Sequence, residues 1–277
     1  MTSAKPNVTR RSASIPRKLL RERALHLLPM YYFMTLSDLG REAVRGSGSH
    51  RFADHIYVGT PSGRTILGRW IDARLLAMPA ARAFRRRCAE AQRAMQRALE
   101  SGRAGGAVRI LAIPCGIPRD LLELVRVFRS RDSSCLDRLE YHGMDIDSEV
   151  LVEASAVITE CGLASVHLHR GDALSAGDYP QGPFDLVVST GLGEFLQRDE
   201  LARFYRHVHG LLRPGGVFFT SATARDPSSD RLLRMVELVT QYRSADDLLP
   251  LLEDLPWQEL RVIRDPSGLQ TFVTATR

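Results

Sequence analysis

Four short segments carry residues that could hold a polar ligand and act on it. In Ile113-Pro114-Cys115-Gly116-Ile117-Pro118-Arg119 a glycine sits where an apolar run gives way to a helical one. A glycine there lets backbone approach a ligand closely, and the first turn of a helix favours negative charge. Roughly 30 residues further on comes Gly143-Met144-Asp145-Ile146-Asp147. An acid at that point suits the hydroxyls of a ribose, because a carboxylate accepts two hydrogen bonds and donates none. Asp145 lies nearer the strand end and is the preferred grip; Asp147 could serve instead, or begin or cap the next helix. In Arg170-Gly171-Asp172-Ala173, Asp172 could accept a hydrogen bond from an adenine amino group or could be an ordinary turn aspartate. Ser189-Thr190-Gly191-Leu192-Gly193-Glu194-Phe195 offers two hydroxyls and two glycines. Glu194 there could act as a base, orient an acceptor or start a helix.

These segments need a scaffold that brings them together. From residue 107 onward, short β-branched runs alternate with amphipathic stretches. The expected strands are 108–113, 141–145, 165–169, 185–189, 217–220, 260–263 and 270–275. Helices are expected near 118–130, 148–162, 198–212, 229–242 and 245–254. Such alternation predicts a mainly parallel sheet with helices on both faces, and ligands bind beyond the carboxyl ends of its strands. Only Asp-Pro-Ser-Gly (265–268) separates the last two strands, which suits a hairpin and makes the terminal strand antiparallel. Leu212-Arg213-Pro214-Gly215-Gly216 reads as a helix end and a tight turn before a central strand.

Upstream, Ile66, Leu67, Trp70, Ile71, Leu75 and Leu76 recur at helical spacing until Pro79, and an arginine-rich helix follows. Residues 46–63 are rich in Gly and Ser and read as an ordered loop. Short helices interrupted near Pro29 are expected over 21–45. Residues 1–20 are basic, lack periodicity and are expected to be disordered. The expected division is therefore a tail over 1–20, a helical extension over 21–104 and an α/β domain over 105–277.

The net charge of +6 comes mainly from arginine. Arg82, Arg85, Arg86, Arg87, Arg93 and Arg97 read as a solvated helix face. The aromatic interleaving of a single-strand nucleic-acid platform is missing, so nucleic acid is not the expected partner. No run of residues is long and apolar enough to span a membrane. Cys88, Cys115, Cys135 and Cys161 lack any C-x-x-C spacing and predict neither a disulfide framework nor a metal site. A reduced, cytoplasmic setting fits them.

In order, V-R-I-L-A-I-P-C-G, G-M-D-I-D, G-D-A, F-D-L-V-V-S and L-R-P-G-G-V-F resemble the motifs of class I S-adenosylmethionine-dependent methyltransferases. The resemblance covers about 170 residues and lies in the succession of motifs. It implies a Rossmann-like seven-stranded sheet with S-adenosylmethionine over the first two strand ends. Pro114, Cys115 and Gly116 would line its methionine part, Asp145 and Ile146 the ribose side, and Asp172 and Ala173 the adenine. Ser189, Thr190 and Gly191 would face the transferred methyl group. The stretch D-H-I-Y-V-G-T-P-S-G-R-T-I-L-G-R-W-I-D resembles the segment before this domain in a bacterial methyltransferase family sometimes fused to an α/β-hydrolase. That likeness would make residues 50–100 a helical lid, with Tyr57, Ser62 and Arg64 as pocket candidates. Glu194, Tyr57 and His55 are the candidate bases, and the implied acceptor is a small or lipid-like molecule. Ala112 replaces the acid that usually opens the first motif, and Pro114 and Pro118 replace its outer glycines. These departures raise the alternative of a cofactor-binding protein without turnover; a nucleic-acid methyltransferase is the other.

Overall fold

The computed structural model describes residues 15–17, 19–21, 23, 25–46, 49–101, 106–131, 133–163, 165–236, 238 and 240–277. Helices α1 (Leu28–Met34), α2 (Asp38–Gly46), α3 (His50–Val58), α4 (Ile66–Leu76) and α5 (Pro79–Ser101) precede the sheet. Strands β1 (Val108–Ala112), β2 (Leu139–Asp145), β3 (Val166–Arg170), β4 (Phe184–Ser189), β5 (Leu212–Thr223), β6 (Glu259–Arg264) and β7 (Gln270–Thr276) form it. Between them lie α6 (Arg119–Arg131), α7 (Ser148–Glu160), α8 (Arg198–Leu211), α9 (Pro227–Met235) and α10 (Ala245–Glu253).

The seven strands are ordered β3-β2-β1-β4-β5-β7-β6. β1 to β5 pair in parallel, and β7 runs antiparallel to both β5 and β6. The expected α/β class and antiparallel last strand are therefore present, and that strand is inserted between β5 and β6. The strand order reverses between β1 and β4, which opens a crevice above their carboxyl ends. Alternating residues of the central strands feed two cores. One joins Ile110, Ala112, Tyr141 and Val188 to α5, α6 and α7; the other joins Leu111, Ile113, Val187 and Phe218 to α8 and α10.

β5 starts earlier than the sequence suggests. The turn expected over 213–216 is an irregularity within the strand, with a register shift opposite Phe184 and Leu186. Gly215 adopts φ +74°, and its N–H donates to the Arg277 carbonyl at 2.6 Å. That bond continues the pairing with the chain after β7, so the strand is not interrupted there.

The chain divides into two compact units. One comprises Arg86–Arg225 and Thr240–Arg277; the other comprises the described residues up to Arg85 together with Asp226–Val239. The boundary expected near 104 thus falls inside α5. Ala91, Met95 and Leu99, in the second half of that helix, are fully buried in the sheet core, which makes this half part of the α/β unit. The helix expected over 229–242 is the shorter α9, and it belongs to the helical unit. Its Met235 and the following Val236 pack with Tyr31, Met34, Ala43 and Val44.

Ile15 and Leu19 are buried in that same cluster, although the sequence placed them in a disordered tail. Residues 1–14 of that expected tail lie outside the described residues. The loop expected over 46–63 contains α3 instead. Ser49 caps its start by accepting from the Phe52 N–H, Ile56 is buried, and Gly59 ends it at φ +66°. Its two flanking cap residues are what gave the segment a loop-like composition.

Asp72 of α4 holds the helical unit together from inside. Its fully buried carboxylate accepts from the Leu39 N–H at 2.8 Å and the Ser62 N–H at 3.1 Å, and it pairs with His55 Nε2 at 2.9 Å. Burial alone would raise its pKa, but the bonds from His55, Leu39 and Ser62 outweigh that and hold it below the usual value. A depressed folded-state pKa contributes stability above the unfolded value of 3.8, and that contribution is lost as pH falls further. Asp72→Ala should therefore cost about 3 kcal/mol at pH 7 by urea denaturation, with the deficit shrinking below pH 4.

Candidate functional site

The first-motif turn is built by backbone bonds between neighbouring strand ends. The Ile113 N–H donates to Val188 O and the Cys115 N–H to Met144 O, each at 2.9 Å. Gly116 then turns at φ +53°, and a Cβ built on it would meet no atom within 4 Å. The space over this glycine is open, as the approach of a ligand to the backbone requires.

Asp145 ends β2 and is buried. Its Oδ2 accepts from the Gly116 N–H at 3.2 Å and its Oδ1 from the Asp147 N–H at 3.0 Å. Its carbonyl accepts from the Gly171 N–H at 3.0 Å. Each carboxylate oxygen thus carries one backbone bond and retains acceptor capacity for another donor. Asp147 caps α7 by accepting from the Glu149 N–H, so the two aspartates that the sequence left as alternatives occupy different positions. Between them, the Ile146 side chain is 64% exposed. An exposed aliphatic group beside a polar turn suits the face of a flat aromatic ring.

Asp172 is exposed, and its Oδ1 accepts from the Leu174 N–H at 2.9 Å. Asp178 Oδ2 accepts from the Asp172 N–H at 2.9 Å, and the Tyr179 hydroxyl donates to the Ala173 carbonyl. These bonds fix the turn after β3. Pro114 is exposed, whereas the Cys115 thiol is pushed well above its ordinary pKa by burial and by the charge of Asp145. Cys115 therefore lines the turn as an uncharged group.

Ala112, which stands in place of the usual acid, is buried in the sheet core. A different acid, Asp120 in the first turn of α6, lies close enough to influence Cys115 and Tyr141. Burial pushes its carboxyl up to about 6, against the opposing pull of the Leu121 N–H.

Beyond β4, Ser189 is buried opposite Thr220, and Thr190 is half-buried. Gly191 has φ +90°, and a Cβ on it would sit 3.0 Å from both Nη atoms of Arg87. This glycine makes room for a guanidinium, a reason that the sequence did not reveal. Arg87 is buried and its Nη1 donates to Glu194 Oε1 at 2.7 Å. The Thr223 hydroxyl donates to the same oxygen, and Thr223 in turn accepts from Gln270 Nε2 at 2.8 Å. Arg243 donates to the carbonyls of Gly193 and Leu196, which pins the rest of the loop. Glu194 also borders a narrow crevice with Ser221, Thr223, Gln241 and Arg243. Among the described residues, the buried Ser221 Oγ in that crevice has no hydrogen-bond partner.

Arg87, Thr223 and Arg243 were not singled out from sequence. A signal for Arg87 existed: Ala83, Arg87, Ala91, Met95 and Leu99 recur every four residues, and all are buried. Arg82, Arg86, Arg93 and Arg97 are exposed as expected, whereas Arg85 is half-buried and donates to the Leu76 carbonyl at 2.9 Å, and Arg87 is buried. The remaining candidates lie in the helical unit. The Tyr57 ring stacks on Phe84 at 5.0 Å, His55 pairs with Asp72, the Ser62 N–H is bound by Asp72, and Arg64 is exposed.

A mainly parallel sheet of this order, with an antiparallel β7 inserted between β5 and β6, is the fold of class I methyltransferases. The profile of the family described as "Putative methyltransferase" matches residues 30–241, and the chain belongs to that family. No curated protein matches it. A Bordetella parapertussis structure described as a possible exported protein is 22% identical, with a TM-score of 0.75 over 98% of this chain and 95% of that one. Magnesium protoporphyrin IX methyltransferase from Synechocystis, solved with bound SAH, is 13% identical, with a TM-score of 0.55 over 81% and 93%. An O-methyltransferase family protein from Burkholderia thailandensis is 17% identical, with a TM-score of 0.52 over 74% and 62%. Among the described residues no helix is long and apolar enough to cross a membrane.

Two substitutions test this local architecture. Gly191→Ala forces an L-residue into the left-handed region against Arg87 and should cost about 2 kcal/mol in urea denaturation. Asp120 holds its proton more tightly folded than unfolded, so its stability deficit grows from pH 4 to about pH 6 and stays constant above. Asp120→Asn should remove that deficit and stabilise the protein by about 3 kcal/mol at pH 7, with no gain below pH 4.

Proposed function

We propose that the protein transfers the methyl group of S-adenosylmethionine to a small-molecule or lipid-like acceptor. The observation that carries the cofactor half of this reading is the Asp145 carboxylate, bonded on both oxygens to the turns after β1 and β2. There it would accept the ribose hydroxyls, with Ile146 against the adenine and Asp172 and Ala173 at the adenine amino edge. Pro114, Cys115 and the open Gly116 would line the methionine part. Ser189, Thr190 and Gly191 would border the methyl group.

The bound sulfonium makes its methyl carbon electrophilic, and the chain's own task is to align an acceptor atom with it. Glu194 serves this reading as a positioning residue, because Arg87 and Thr223 already engage its Oε1. Phe195, 53% exposed just beyond Glu194, supports an acceptor with an apolar part. Four free cysteines support a reducing, cytoplasmic setting.

Isothermal titration with S-adenosylhomocysteine tests the cofactor site. Saturable binding is expected, and Asp145→Asn should weaken it at least roughly tenfold, the cost of losing one acceptor and a charge at a hydroxyl pair. No binding to the wild-type chain at millimolar ligand would sink the reading. Label transfer from S-adenosylmethionine to a panel of hydroxylated aromatics and lipids tests the acceptor.

A further inference from the structure

Strand β3 reads Val166-His167-Leu168-His169-Arg170. Val166 and Leu168 pack against the core shared with α6 and α7, so His167 and His169 lie on the opposite face. The parallel register sets His142 of β2 beside His167, and Glu140 shares that face two residues earlier. Over the centre of the sheet, α8 and α10 cover this face with apolar side chains. The connection from β3 to β4 contains only the single-turn 3-10 helix Ala176–Asp178, and so no α-helix is supplied to cover the β2–β3 corner. Histidines and a glutamate occupy the place of an apolar contact surface.

The ligating atoms of Glu140, His142 and His167 all lie within 4.8 Å of one another. The edge of Phe184 underlies the His142 ring, with centroids 5.2 Å apart. His142 Nδ1 lies 3.0 Å from His169 Nε2, and its Nε2 lies 2.7 Å from Glu140 Oε1. Arg109 Nε donates to the same Oε1 at 2.9 Å, so Oε2 is the oxygen left for another partner among the described residues.

We propose that Glu140, His142 and His167 bind a divalent transition ion, zinc being the expected occupant, with His169 as a positioning residue. Two imidazoles and one carboxylate match the borderline character of zinc and leave room for water or a further ligand. Tetrahedral bonds of about 2.1 Å need donors roughly 3.4 Å apart, a contraction that side-chain rotations on two fixed strands can provide. The cysteine spacing that argued against a metal site has no bearing here, because this donor set contains no thiol and its members are adjacent only across the strand register.

The test is equilibrium dialysis of the full, untagged, chelator-treated chain against zinc chloride at pH 7.5. One equivalent should bind, and His167→Ala and Glu140→Gln should each weaken binding at least roughly tenfold while circular dichroism stays unchanged. The cobalt(II) complex should lack a thiolate charge-transfer band. Absence of stoichiometric binding, undiminished binding in the double variant, or a thiolate band would each overturn the proposal.

Discussion

The Asp145 carboxylate ties the turn after β1 to the turn after β2, and its own carbonyl accepts from the turn after β3. Three strand ends are thereby fixed by one residue. Most of the candidate cofactor site depends on that closure, because Gly116, Ile146 and Asp172 each take their positions from one of those turns. A buried carboxylate is costly unless it is bonded, and here backbone N–H groups that face a crevice supply the bonds. Stability and the proposed ligand contact thus draw on the same atoms, and a site of this kind cannot easily drift without disturbing the sheet.

The loop after β4 follows a different principle. Its shape comes from long side chains: Arg87 reaching Glu194, and Arg243 reaching the Gly193 and Leu196 carbonyls. Two cations and one anion, together with the Thr223 hydroxyl, brace the single-turn 3-10 helix Leu192–Glu194, whose backbone also accepts from the Gln241 N–H at 2.8 Å. A buried ion pair of this type contributes little net stability compared with an apolar pair, but removing one partner strands the other in a poor solvent. Such pairing favours one loop conformation over its alternatives.

Much of this was legible in the sequence wherever the information was local. The alternation of β-branched and amphipathic runs revealed the sheet, and the spacing from Gly116 to Asp145 singled out the acid that ends β2. The short 265–268 turn revealed the antiparallel strand. What stayed hidden depended on partners distant in sequence. Gly191 was legible as a glycine beside a candidate ligand, but not as one that also makes room for Arg87, more than a hundred residues earlier. Helix α3 was hidden by its caps, since Ser49 and Gly59 are loop-like residues used to bound a helix. Residues 86–101 of α5 group with the α/β unit, and a continuous helix carries no mark where its packing partner changes.

The insertion of β7 between β5 and β6 has a consequence for the order of synthesis. β5 is complete at Thr223, yet the strand that pairs with its outer edge begins only at Gln270. At ribosomal rates of about 5–20 residues per second, the edge carrying Val217 and Phe219 waits roughly 2–10 s for its partner. During that interval it presents unpaired N–H and C=O groups beside apolar side chains, the arrangement most open to intermolecular pairing. Nascent-chain aggregation should therefore respond more sharply to mutations that delay β7 docking than to equally destabilising changes around β1 and β2.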